Sequence, residues 1–122
     1  MDPRQRGKWG EKVAQNYLEG KNYIILKTGF RSRFGEIDII AKHNGFLVFA
    51  EVKTRKNAQF AHAREYVGKA KQRKMIKTAN YWLAVRPADL QPRFDVIEIY
   101  VNNGDPALSP EIIHIENAFG AG

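Results

Sequence analysis

The stretch Gly35–Arg55, GEIDIIAKHNGFLVFAEVKTR, reads as two short β-strands joined by a two-residue turn at Asn44-Gly45. An Asn-Gly pair between alternating runs is the strongest local hairpin signal, because both residues accept the positive φ that a type I′ turn demands. Counting outward from the turn sets the register. Ile37 then faces Val52, Ile39 faces Ala50 and Ala41 faces Val48 on one side of the ribbon, the unbroken apolar face that a core requires. On the other side Ile40 meets Phe49, Asp38 stands opposite Glu51, and Glu36 stands opposite Lys53.

Directly opposed side chains in an antiparallel pair have Cβ atoms about 4.5–5.5 Å apart, and like charges there repel. Asp38 and Glu51 therefore require a cation between them. Lys53, two residues along the strand from Glu51, shares their face and reaches both carboxylates in this register. A divalent metal is the other candidate. Carboxylate oxygens are hard ligands, and Mg²⁺ typically takes one or two of them while water and phosphate oxygens complete its shell. An Asp–Lys–Glu ladder that only braces the hairpin is the structural alternative. The neighbours Ile39, Ile40, Val48, Phe49 and Val52 put the charges at the end of a buried sheet rather than on a solvated face, which favours the functional reading.

Asp38, followed thirteen residues later by Glu51-Val52-Lys53, resembles the D…(D/E)-x-K signature of the restriction-endonuclease-like, PD-(D/E)XK, nuclease fold. The wider chain, from a Trp9–Leu18 helix through GEIDIIA, FAEVKTR, RFDVIEI and HIENAF, is similar to the YraN family of small bacterial proteins over nearly its whole length. Ile37 rather than Pro precedes Asp38, a departure at a position that is not a ligand. The resemblance implies fold more directly than activity. It implies Asp38, Glu51 and Lys53 as catalytic residues, with Mg²⁺ or Mn²⁺ held by Asp38 and Glu51. Similarity to Holliday-junction-resolving nucleases, in which an N-terminal helix brings an acid to the metal, adds Glu11 as a third metal ligand. On its residues alone, Glu11 reads as an exposed helix glutamate. The same similarity draws attention to Lys71 and Gln72, where related nucleases place a residue that supports the active site.

The chain has 122 residues, which is the size of one domain spanning 1–122 with a single modest core. Its 43% hydrophobic and 27% charged content is that of a soluble globular protein, and no apolar run has the length of a membrane span. The opening MDPRQRGKWGEK lacks the apolar stretch of a secretory signal, so a cytoplasmic location and no membrane partner are expected. With no cysteine, disulfides, thiolate metal sites and a cysteine nucleophile are excluded. His43, His62 and His114 show no ligand spacing, which argues against structural zinc.

The net charge of +7 is concentrated. Between Lys53 and Lys77 stand nine Lys or Arg and a single acid, Glu65, whereas the rest of the chain is close to neutral. A basic block directly after paired carboxylates suits a phosphodiester backbone: cations hold the strand while carboxylates hold the metal at the scissile phosphate. The candidate nucleic-acid contacts are Arg31, Arg33, Arg55, Lys69, Lys71, Arg73, Lys74 and Lys77. A solubilising helix face is the plain alternative for such a run, and Arg31 and Arg33 would equally serve to neutralise Glu36.

Around the hairpin, a helix is expected over Arg6–Glu19, with Trp9, Val13, Ala14, Tyr17 and Leu18 on its buried stripe. Tyr23–Thr28 reads as a strand and Gly29–Phe34 as a polar loop. TRKNAQFAHAR reads as a loop in which His62 has no assigned role. A second helix over Gly68–Val85 buries Met75, Ile76, Ala79, Trp82 and Leu83 and carries Lys69, Arg73 and Lys77 on a separate stripe. Arg93–Val101 is a strand completing a strand–helix–strand crossover, with Asp95 pairing with Arg93 or capping a loop rather than binding metal. Glu111–Glu116 is a final edge strand, and Asn117–Gly122 a small-residue tail.

The expected fold is therefore α/β, an αβββαβ core with a mixed central sheet flanked by helices, and the restriction-endonuclease-like topology is what the resemblance adds. The expected function is Mg²⁺- or Mn²⁺-dependent hydrolysis of phosphodiester bonds in DNA rather than RNA. Branched or structured DNA and a homodimer are implied by fold analogy alone. The alternatives are a nucleic-acid-binding protein that keeps the nuclease fold without cutting, and a protein-interaction scaffold whose charges brace the hairpin.

Overall fold

The computed structural model describes residues 1–56 and 67–120, so the stretch containing His62 and Arg64 lies outside the described residues. Helix α1 (Pro3–Gly20) begins three residues before the expected start. Its first turn is built by a capping box: the Asp2 carboxylate accepts from the Gln5 N–H at 2.8 Å, the Gln5 side chain accepts from the Asp2 N–H at 3.0 Å, and Pro3 supplies a preset φ. Strands β1 (Ile24–Ser32), β2 (Gly35–His43) and β3 (Phe46–Arg55) form an antiparallel meander. Helix α2 (Lys69–Val85) leads to β4 (Gln91–Tyr100), parallel to β3, and β5 (Glu111–Phe119) lies antiparallel beside β4. Spatial order follows chain order, β1-β2-β3-β4-β5, in one mixed sheet.

The sheet is covered on both faces. Ala14 and Leu18 of α1 pack with Ile39, Ala41, Val48, Ala50, Ile97 and Ile99. Met75, Ala79 and Trp82 of α2 pack with Ile37, Ile40, Leu47, Phe49, Phe94 and Val96. This is the α/β layering expected of an αβββαβ core, extended by β5. Among the described residues no helix is long and apolar enough to cross a membrane.

Three local expectations are corrected. Gly29–Phe34 is not a loop: β1 runs on to Ser32, with Gly29 at φ 59°, and only Arg33 and Phe34 form the turn into β2. The tail after Glu116 is likewise strand as far as Phe119, whose ring stacks 5.0 Å from Phe94. In the central hairpin, Asn44 (φ 48°) and Gly45 (φ 84°) make the expected turn, and the expected register holds from His43–Phe46 to Ile39–Ala50. There the ladder between β2 and β3 stops. Ile37 joins Ile40 on the α2 face instead of Ile39 on the α1 face, so side-chain alternation breaks at Asp38. β3 itself runs on, paired with β4 on its other edge as far as Arg55–Tyr100, after β2 has left it.

Candidate active site

The break in the hairpin creates the candidate site. Where the ladder ends, the Val52 N–H loses a backbone partner on β2 and donates instead to Asp38 Oδ2 at 2.8 Å. A side-chain carboxylate has replaced a main-chain carbonyl, and Asp38 Oδ1 remains for other use. Glu51, one residue before Val52, points to the α2 face, where Lys71 Nζ lies 3.6 Å from Glu51 Oε2. Its side chain is only 14% exposed.

Both carboxylates are strained electrostatically. Burial raises Glu51 to about 7, and the Asp38 charge pushes in the same direction against the partial relief given by Lys71 and Lys53. Asp38 is raised by burial as well, and by Glu36, with the Val52 hydrogen bond and Lys71 opposing. Glu11 on α1 is raised by desolvation first and then by Asp38 and Glu36. Asp38 therefore has acidic neighbours toward both helices, and the cations supplied by the protein do not cancel them.

Glu11 reaches this position because α1 passes unusually close to β3. Gly10 is buried, and a Cβ there would fall 1.8 Å from Thr54 Oγ1, so only glycine permits the approach. Glu11, Lys8, Lys12, Gln15 and Thr28 then border a hollow of about 210 Å³ floored by Asp38 and Ile39. Among the described residues, no three His, Asp or Glu side chains converge as a ready-made metal cage. The two-carboxylate arrangement at Asp38 and Glu51 is nonetheless of the kind Mg²⁺ uses, since that ion keeps several waters and takes few protein ligands. All the available donors are hard oxygens, which suit Mg²⁺ or Mn²⁺ and not a soft metal.

The remaining expected residues fall as follows. Lys53 sits on the Glu51 face and favours its ionised form, but makes no ion pair among the described residues. Lys71 is the cation in contact, brought from α2. Gln72 is spent on the fold, its side-chain amide donating to the Val67 carbonyl at 2.8 Å. Arg31 pairs with Glu36 at 3.0 Å. Arg33, Lys69, Arg73, Lys74 and Lys77 are exposed, and Arg55 is half-buried at the end of β3.

Two further features are absent from the sequence reading. Glu98 is buried on β4 as the register partner of Lys53. Its Oε2 accepts from Tyr100 at 3.1 Å, while Oε1 has no partner among the described residues. The signal was present, because Glu98 shares parity with Phe94 and Val96 on the core face of RFDVIEIY. The second feature is the partner set of Asp95, which pairs with Arg93 as expected but also with His114 and the Asn117 N–H.

Comparison with known proteins gives one consistent result. The model of the family described as "Uncharacterised protein family UPF0102" matches residues 10–99, which include Glu11, Asp38, Glu51, Lys53 and Lys71. A UPF0102 protein of Clostridioides difficile is 42% identical over 120 residues, covering 98% of this chain and 100% of its own. Another from Geotalea daltonii is 45% identical over 119 residues, covering 97% and 91%. A third, from Syntrophotalea carbinolica, is 44% identical over 114 residues, covering 93% and 89%. The chain belongs to the UPF0102 family, the YraN family that its motifs resemble.

Proposed function

We propose that the protein is a divalent-metal-dependent nuclease of the restriction-endonuclease-like fold, cutting phosphodiester bonds in DNA. The observation that carries this reading is the pair of largely buried carboxylates, Asp38 and Glu51, held beside Lys53 and Lys71 where the hairpin ladder opens. A structural ion-pair ladder would satisfy its charges, whereas this one leaves Glu51 raised to about 7.

Asp38 and Glu51 would hold the cation, with Glu11 contributing across the hollow it shares with Asp38. When bound, Mg²⁺ or Mn²⁺ would polarise the scissile phosphate and acidify a water. The protein's own residues supply the rest. The Val52 N–H fixes the Asp38 carboxylate, so one oxygen is aimed while the other is restrained. Lys53 offers an ammonium to the negative charge that develops on the phosphate. The exposed Lys69, Arg73, Lys74 and Lys77 of α2 hold the strand by its phosphates. Branched DNA held by a homodimer is the geometry that likeness to junction-resolving nucleases suggests.

A second reading has its own observation. Lys71 stands 3.6 Å from Glu51 and already gives that carboxylate a cation from the protein, which favours a protein that binds nucleic acid without cutting it. A panel of single-stranded, duplex, flapped and four-way-junction DNAs with Mg²⁺ or Mn²⁺ separates the two. The nuclease reading predicts metal-dependent cutting that is lost in Asp38→Ala and Glu51→Ala. Binding without cutting, unchanged in both variants, would establish the second.

A further inference from the structure

On the far half of α2 from Glu51, aromatic and basic side chains meet on one surface. Tyr81 is 46% exposed and is the one exposed aromatic side chain among the described residues. Its ring lies 6.3 Å from Phe30 at 19° and 6.3 Å from Phe34 at 59°, while Phe30 is itself buried edge-on against Trp82 at 5.0 Å. Tyr81 is thus backed by a fixed ring and open on its outer side. Phe34 is half-buried in the turn between β1 and β2, with the Arg33 guanidinium 4.8 Å from its ring centre.

The turn is locked to the helix. The Phe34 N–H donates to Ser32 Oγ at 3.1 Å, and Ser32 Oγ lies 3.5 Å from Thr78 Oγ1. Gly35, at φ 154°, sits so close to α2 that a Cβ would come within 3.3 Å of Lys74 and Thr78. The nearby charge is one-sided: Arg33, Lys74 and Lys77 are exposed and in no ion pair among the described residues, and the acid beside them, Glu36, is already paired with Arg31. A flat apolar ring set among cations without acidic partners matches a ligand that is itself flat and anionic, a nucleotide with its base unstacked.

We propose that Tyr81, backed by Phe30 and braced by Phe34, forms a stacking platform for one unpaired base, and that the substrate carries a single-stranded segment beside the site of cutting. The proposal rests on the nucleic-acid reading above and names its substrate class. Lys71, Lys74, Thr78 and Tyr81 lie on one side of α2, since the first contacts Glu51, the next two contact the turn and the last contacts Phe34. Ten residues at about 1.5 Å each put the platform roughly 15 Å along the helix from the Glu51 ion pair. That is about four stacked nucleotides at roughly 3.4 Å each. A strand held at both places would be single-stranded at the platform and cut a few nucleotides away.

The test is fluorescence anisotropy at low salt with a chelator present, using a blunt DNA duplex, the same duplex with a four-nucleotide single-stranded tail, and that tail with abasic sites. The native chain is expected to bind the tailed duplex best and the abasic tail more weakly, since the abasic tail keeps its phosphates but has no base to stack. Tyr81→Ala should weaken binding of the tailed duplex about tenfold, the scale of one base–aromatic stack, and Tyr81→Trp should retain it. Phe34→Leu, which keeps an apolar anchor in the turn, should weaken it less than Tyr81→Ala does. If Tyr81→Ala binds the tail as the native chain does, or the abasic tail binds as the intact one does, the platform is wrong while the nuclease reading stands. No binding of any of these DNAs by the native chain would overturn both.

Discussion

Asp95 and Glu51 are carboxylates on adjacent strands, one register step apart, and they face opposite helices. Asp95 is fully buried, yet every demand it makes is met. Arg93 donates twice at 2.9 Å, His114 Nε2 lies 2.7 Å away, and the Asn117 N–H donates at 3.0 Å. Although burial pushes its carboxyl up, the hydrogen bonds from His114, Arg93 and Asn117 hold it below the ordinary value. The network extends on both sides: Arg93 also donates to Tyr23 at 2.8 Å, and His114 Nδ1 meets the Tyr17 hydroxyl at 3.0 Å. Glu51 has a single half-exposed lysine at 3.6 Å and a second carboxylate pushing against it. A buried carboxylate with all its partners reads as architecture. One left short of positive charge reads as a place prepared for a cation from outside.

Removing Asp95 should do the most damage. Asp95→Ala leaves the Arg93 guanidinium, 8% exposed, buried without its counter-charge, and should cost about 3–5 kcal/mol in urea unfolding. A loss below about 1 kcal/mol would mean that the network is not structural and that the contrast fails.

Glu51→Gln should act in the opposite direction. Because the folded-state pKa of Glu51 is raised from 4.5 to about 7, the folded protein holds a proton there that the unfolded chain releases between those values. Stability from this group is full below about pH 4.5 and is lost as pH rises through about 7. At pH 8 without metal, Glu51→Gln should therefore be more stable than the native chain by about 1–3 kcal/mol, and the gain should vanish near pH 4. Denaturant titrations at both pH values check this; a destabilised variant at pH 8 would place Glu51 with Asp95 as a satisfied structural group.

Lys71→Ala should have the smallest effect on stability, about 0.5 kcal/mol or less, because its ammonium is 46% exposed. It sharpens the contrast by a different measure. With Lys71 gone, the Glu51 titration followed by carbon NMR should move further up, since Lys71 is one of the two cations favouring its ionised form. An unmoved titration would show that the pair at 3.6 Å does not form in solution.

The satisfied cluster and the unsatisfied one were unequally visible in the sequence. Arg93 and Asp95 stand two apart on a strand, so their pairing follows from alternation, whereas His114 and Asn117 join them only through the pairing of β4 with β5. The Asn44-Gly45 turn and the ladder to Ile39–Ala50 were legible because local turn chemistry dictates them. What lay beyond Asp38 was not, because there the Val52 N–H goes to the Asp38 carboxylate instead of a β2 carbonyl, and no local turn signal marks where β2 parts from β3. The nearness of Asp38 to Glu51 was legible from the hairpin, while the cation in contact with Glu51 was not: Lys53 is near in sequence, and Lys71 arrives through packing of α2. The start of α1 was readable in Asp2-Pro3-Arg4-Gln5, whose capping-box spacing sets it three residues before Arg6. The polar composition of Gly29–Phe34 concealed a strand whose partners, Gly35 to Ile37, follow directly across the Arg33-Phe34 turn, which carries no Asn-Gly or Asp-Gly signal.

The most direct measurement is calorimetric titration of Mn²⁺ into the native chain, Asp38→Asn and Glu51→Gln at pH 8. Saturable binding to the native chain is expected, abolished in Glu51→Gln and weakened at least tenfold in Asp38→Asn, whose amide oxygen can still accept the Val52 N–H. Absence of binding to the native chain, or equal binding to all three, would show that these two carboxylates, short of positive charge though they are, do not take a metal.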